Sequence, residues 1–179
     1  MQQPLILPWK DARPKIAEDA FIAPNATVIG DVVIGARSSI WFGVVMRGDV
    51  NYIRVGERTN IQDGTIVHVA TKNGPTLIGN DVLIGHAAII HGCTLEDGCF
   101  VGMGATVMDH AVVEAGAMVA AGALVGPNKR VLKGQLWGGA PARFMRTLRD
   151  EEIEHMKAGT AGYAVLGEGY RAMLAQEKP

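Results

Sequence analysis

The sequence predicts an all-β solenoid, a parallel β-helix followed by a C-terminal α-helical segment. Three observations carry that prediction. Large apolar residues recur every six positions over most of the chain, and a small or β-branched residue stands two positions before nearly every one of them. Glycine supplies 23 of 179 residues, about 13% where roughly 7% is usual, while aromatics make up only 6%. An interior filled without aromatic rings is narrow and regular. A period of six excludes an amphipathic helix, and strands of three or four residues are too short for an ordinary sheet.

The register can be followed along the chain. Residues 1–19 form a lead-in with Pro4, Pro8 and Pro14, and no basic stretch precedes an apolar run there, so they do not read as a secretory signal. The coil spans residues 20–136. Ile22, Val28, Ile34, Ile40 and Met46 share one register, which resumes after a three-residue offset at Val55, Ile61 and Val67. A polar interruption at residues 69–75, expected to protrude from a corner, precedes Ile78, Ile84 and Ile90. One five-residue step later come Leu95, Val101, Val107, Val113, Val119, Val125 and Val131. The companion column includes Ala26, Val32, Ser38, Thr59, Thr65, Ala88, Cys93, Cys99 and Ala105. Wound into a triangle of three hexapeptides, each strand pairs with the one about 18 residues on, at ~4.8 Å, leaving room for about six coils.

After Val131 the repeat is expected to stop, and residues 137–179 read as a turn-rich exit and a helical segment. The helix is placed from about Arg149 to Gln176, with Asp150, Glu151 and Glu152 at the favourable end of its macrodipole. Gly159, Gly162, Gly167 and Gly169 predict a break into two pieces.

Composition narrows the function. Seventeen Lys and Arg against 18 Asp and Glu give a formal charge of −1, which excludes a polyanion-binding surface of the usual kind and predicts no nucleic-acid partner. No run approaches the roughly 18 apolar residues of a membrane span. Two cysteines do not make a secreted disulfide framework, so a cytoplasmic protein is expected. Cys93 and Cys99 fall in the small inward column and read as packing residues. The glycines are not followed by the Gly-Lys-Ser/Thr element of a phosphate loop.

The chemistry points to histidines. His68 follows anchor Val67 and His91 follows anchor Ile90, so both stand at outward positions, while His86 lies near a corner. An offset of five makes His86 and His91 point oppositely on one strand, so one chain cannot readily close a chelate with both. A neighbouring prism, presenting its own copy of His86, relieves the difficulty. His110 and His155 read as corner and helix-surface residues.

The residues that carry this pattern also carry a resemblance. Ile40-Trp-Phe-Gly-Val-Val-Met-Arg-Gly-Asp49, Asn60-Ile-Gln-Asp-Gly64, His68, Gly85-His86 with His91, and Gly138-Gly-Ala-Pro-Ala-Arg143 resemble the γ-class carbonic anhydrases and their bacterial relatives over nearly the whole chain. The resemblance implies a left-handed coil and a homotrimer with a divalent metal at each subunit interface, held by His68 and His91 of one copy and His86 of the next. Zn²⁺ is the implied ion, and imidazole also suits Fe²⁺ and Co²⁺. Zinc-bound hydroxide would attack CO₂ to give bicarbonate. Gln62, with Asn60 beside it, would orient hydroxide or substrate. Arg47 and Asp63 match an ion pair across the interface, Asp49 belongs to the same polar group, and Tyr163 matches a pocket-lining tyrosine.

Two departures qualify the resemblance. Val50 follows Asp49 where prototype enzymes carry a glutamate, and the loop Ala70-Thr-Lys-Asn-Gly74 lacks a carboxylate. Hydroxide is regenerated only by exporting a proton, so slow CO₂ hydration is expected. The alternatives are a metal-dependent acyl-CoA thioesterase or esterase of the same family, a hexapeptide acyltransferase with one histidine as general base, and a non-catalytic trimeric binding protein.

Overall fold

The structure is a computed structural model that describes residues 3–176. They wind into a parallel β-solenoid of about seven turns, with one long helix laid along it. Three walls form a triangular prism. Wall I carries Leu5–Leu7, the first parts of Thr27–Ile34 and Val45–Val55, then Ile66–His68, Ile89–His91, Thr106–Val107 and Leu124–Val125. Wall II carries Lys15–Ile16, the second parts of the two long strands, Thr76–Ile78, Thr94–Leu95, Val112–Val113 and Arg130–Val131. Wall III carries Phe21–Ile22, Ser39–Ile40, Asn60–Ile61, Leu83–Ile84, Phe100–Val101, Met118–Val119 and Gln135–Gly138.

Each wall is held by rung-to-rung hydrogen bonds and by one inward row. On wall I the row is Val28, Met46, Val67, Ile90, Val107 and Val125, all completely buried. The small column sits where the chain turns each corner, and the residue before it often takes a left-handed backbone, as at Gly43, Gly64 and Ala87. Polar members of that column are satisfied between rungs. Thr59 Oγ1 donates to the Gly79 carbonyl at 2.7 Å and accepts from the Val82 N–H at 3.0 Å, and Thr65 makes the matching pair with Gly85 and Ala88.

The breaks in the six-residue period all fall at one corner. Thr27 faces Val45, 18 residues on, but Val45 faces Ile66, 21 on, and Ile66 faces Ile89, 23 on. Ile89 then faces Thr106, 17 on. Every surplus or missing residue lies between wall I and wall II, while the other two corners keep the six-residue step. Parallel pairing would otherwise slip a whole wall out of register and turn its apolar row outward. Two of the surplus segments support each other: Asn51 Nδ2 donates to the carbonyls of Ala70 and Lys72 at 3.1 and 2.7 Å.

Three expectations change. The coil begins before residue 20, because Leu5–Leu7 and Lys15–Ile16 pair with Thr27–Ile34, so much of the 1–19 lead-in is itself a rung and seven rungs replace six. (Residues 1–2 and 177–179 of the expected end segments lie outside the described residues.) The repeat also runs one strand past Val131: Trp137 pairs with Val119, and Arg143–Thr147 folds back antiparallel on Gln135–Gly138. Finally, the helix is unbroken from Asp150 to Gln176. Two of its glycines face wall III, where a Cβ on Gly159 would meet Leu83 at 3.2 Å and one on Gly167 would meet Ser39 at 3.1 Å. Close packing thus offsets their poor helix propensity.

Two outcomes follow from this packing. A Cβ on Gly169 would have nothing within 4 Å, so Gly169→Ala should raise thermal stability by about 0.5–1 kcal/mol, whereas Gly167→Leu should lower it by about 1–3 kcal/mol by lifting the helix; thermal unfolding midpoints compare them. Burial pushes the Cys93 thiol up to about 12 and Cys99 higher still. Neither should react with a disulfide reagent at pH 8 in the native protein, and both should react once guanidinium unfolds it.

Candidate metal centre

Wall I presents functional groups at both of its edges. At the corner with wall II, His68 and His91 end adjacent strands and are register partners, so their rings stand one above the other with centroids 5.1 Å apart. Their neighbours Val67 and Ile90 point inward, which turns both imidazoles outward. Thr76 ties the two rungs together, its hydroxyl donating to the His68 carbonyl and accepting from the Gly92 N–H.

A line of polar contacts runs through this edge. Arg47 pairs with Asp49, and Asp49 Oδ1 lies 3.0 Å from His68 Nε2. His68 Nδ1 lies 3.1 Å from His91 Nε2, and His91 Nδ1 lies 2.8 Å from Asp109 Oδ1. Burial pushes the Asp49 carboxyl up, but hydrogen bonds from Arg47 and His68 and the Arg47 charge outweigh it and hold it below the ordinary carboxylate value. A carboxylate can only accept, so a neutral ring bonded to one must turn its N–H to it and carry its lone pair on the other nitrogen. Those two lone pairs face each other across 3.1 Å. Such a pair is repulsive unless a proton or a cation sits between them, and the gap suits two nitrogens bound to one divalent ion at ~2.0–2.1 Å each.

The other edge of wall I, at the corner with wall III, holds a second group. His86 Nδ1 lies 2.8 Å from Asp63 Oδ2 on the rung below, leaving its Nε2 unoccupied by any carboxylate. Gln62 is buried beside them and its Nε2 donates to Asn60 Oδ1 at 3.1 Å, which orients the amide. Tyr163 reaches this edge from the helix and packs edge-on against Trp41 at 5.4 Å. Burial, and then the Asp63 charge, push its phenol up.

The nine residues singled out in the sequence therefore fall into two half-sites. Arg47, Asp49, His68 and His91 share one edge, and Asn60, Gln62, Asp63, His86 and Tyr163 share the other. Within one chain His86 is a strand's length away from the facing pair. Among the described residues no group of three or more His, Cys, Asp and Glu side chains is arranged to hold an ion. Asp109 is not among the residues singled out in the sequence. Its usable signal is a position 18 residues after His91, one rung on.

Comparisons with known proteins bear on the fold and the family. Residues 13–48 and 75–108 match the bacterial transferase hexapeptide family (six repeats). A hexapeptide transferase family protein of Anaplasma phagocytophilum is 49% identical, with a TM-score of 0.90 over 93% of this chain and 98% of that one. "Gamma carbonic anhydrase 1, mitochondrial" of Arabidopsis thaliana is 53% identical over 171 residues, 93% of this chain and 62% of the relative. This chain thus spans about three-fifths of that plant relative's length. A protein named carbonic anhydrase from Geobacillus kaustophilus is 40% identical over 178 residues, 96% of this chain and 94% of its own. Likeness sustained over more than nine-tenths of both chains, as with the Geobacillus protein, assigns this chain to the γ-carbonic-anhydrase-like family of hexapeptide-repeat proteins.

Proposed function

We propose that the chain works as a homotrimeric, metal-dependent carbonic-anhydrase-like enzyme that hydrates CO₂. The observation that carries this reading is the division of one chemical site between opposite edges of a single wall. Each of the three histidines has one nitrogen on a carboxylate and the other clear of any, the arrangement that orients imidazoles toward a cation. Only a second copy can bring the edges together, so His68 and His91 would hold the ion with His86 of the partner subunit. Zn²⁺ is the expected occupant, with Fe²⁺ and Co²⁺ also suited to imidazole. Wall I is free of the helix and exposes Leu5, Leu7, Ile66, Ile89 and Leu124, an apolar face for such a contact. A contact that joins one edge to the opposite edge is head-to-tail, and with a rotation of a third of a turn it would close into the proposed trimer.

The ion's contribution, when bound, is to acidify a water so that hydroxide is available near neutral pH. The chain's own residues do the rest. Asp49 and Asp63 hold the ring planes and tautomers of His68 and His86. Arg47 pairs with Asp49 and favours its ionised form, and the guanidinium N–H groups not used in that pair could meet the Asp63 edge of a neighbour. Gln62, fixed by Asn60, offers an amide to orient hydroxide or CO₂, and Tyr163 walls the pocket. Proton export is the weak step. Val50 is exposed where a carboxylate would carry the proton away, and the loop at residues 70–74 has none, so turnover should be modest.

Stopped-flow CO₂ hydration by the zinc-loaded protein tests the reading. His86→Ala and His91→Ala should each abolish the rate. Mixed trimers reassembled from equal amounts of the two inactive variants should recover about a quarter of the wild-type rate, because one interface in four then carries an intact set. No recovery would defeat the shared site. A wild-type rate no higher than that of His86→Ala would defeat CO₂ hydration, and acyl-CoA thioester hydrolysis would become the reaction to assay.

A further inference from the structure

Asp109 is a carboxylate at the wall I–wall II corner that the proposed reaction leaves without a role. Unlike Asp31, which pairs with Arg54, it has no Arg or Lys partner among the described residues; its side chain's single polar contact is with His91 Nδ1, at 2.8 Å. It reaches that nitrogen from the rung beyond, and the intervening corner is built to let it through. The step from Ile90 to Leu95 is one residue shorter than the regular repeat, and it turns on Gly92, whose φ is +55°. A Cβ at Gly92 would lie 2.5 Å from Asp109 Oδ1. The backbone there is pinned on both sides, with the Gly92 N–H donating to Thr76 Oγ1 at 3.0 Å and the Gly92 carbonyl accepting from the His110 N–H at 2.8 Å. With the backbone pinned, a Cβ at Gly92 could be accommodated only by displacing the carboxylate from His91. The corner irregularity and the carboxylate are thus one device.

We infer that Asp109 is the positioning residue of His91: it fixes the Nδ1–H tautomer and the ring plane so that the Nε2 lone pair faces His68 Nδ1. Gly92 is the residue whose missing side chain admits it. The inference rests on the metal reading above and adds to it a second carboxylate beside the pair. Asp49 acts on His68 from the rung before and Asp109 on His91 from the rung after, so the facing nitrogens are clamped from both ends of the stack. Without Asp109, His91 is free to take the Nε2–H form, which puts a proton where the ion belongs.

The full-length protein, stripped of metal, serves for the test. Zn²⁺ affinity is measured by competition with a chromophoric chelator, alongside ¹⁵N imidazole spectra and the thermal midpoint of the metal-free protein. Asp109→Ala should bind Zn²⁺ about 10–100-fold more weakly with the metal-free midpoint unchanged, and its His91 should shift from the Nδ1–H toward the Nε2–H tautomer. Gly92→Ala should weaken binding in the same direction although it removes no polar group. If Asp109→Ala lowers the midpoint, the near-isosteric Asp109→Leu, which has no acceptor, replaces it and is judged by the same two readouts. Zn²⁺ affinity within about twofold of wild type, or an unchanged tautomer, overturns the role of Asp109 while His91→Ala still loses the ion. If His91→Ala binds Zn²⁺ as tightly as wild type, the metal reading falls and the inference with it.

Discussion

Stacking in register is the constraint on which this molecule depends. Most of its wall strands are two or three residues long, too short to pair alone, and each of these is held only because the rungs before and after present matching carbonyls and N–H groups. The interior is correspondingly unforgiving. One apolar side chain and one small residue per wall fill it, and a slip of a single residue would exchange the buried row for the exposed one. Length variation must therefore loop out at a corner. Here it is confined to the one corner where wall I meets wall II.

That confinement bears directly on the chemistry. The same corner carries Asp49, His68, His91 and Asp109, drawn from four successive rungs, and the surplus and missing residues around them set which carboxylate meets which imidazole. The three-residue surplus that starts at Asp49 lets its carboxylate reach the rung of His68. The short step at Gly92 opens the way from Asp109 to His91. A strictly regular prism would stack these side chains in columns without crossing contacts between rungs. Irregularity at the corner is thus the means by which a monotonous fold acquires a particular arrangement of polar groups.

The division of the site follows from the same geometry. A strand on wall I begins at one corner and ends at the other, so His86 and His91, five residues apart, are delivered to opposite edges. A ligand set drawn from both edges belongs to an assembly. The helix reinforces this asymmetry by covering wall III through Gly159 and Gly167 and burying Asn60 and Gln62, while wall I remains bare. The apolar residues on that bare wall and the polar groups at its two margins together form one surface.

Much of this was legible in the sequence. The period of six, the small companion column and the offsets at Val55, Ile78 and Leu95 specify a three-walled coil, because only inward positions tolerate such restricted side chains. The outward placement of His68 and His91 followed from the residues beside them. Other features were hidden for a physical reason. Leu5–Leu7 and Lys15–Ile16 lack the regular spacing that marks the later rungs, so their pairing depends on the strand they lie against. The helix glycines look like breakers until the wall they approach is known. Asp109 looks like any corner aspartate, since its partner is 18 residues back and reached only through the space Gly92 leaves. Periodicity, a local property of the chain, determined the winding and the facing of each residue; contacts between rungs depend on where the corners bend, and only the tertiary structure decided those.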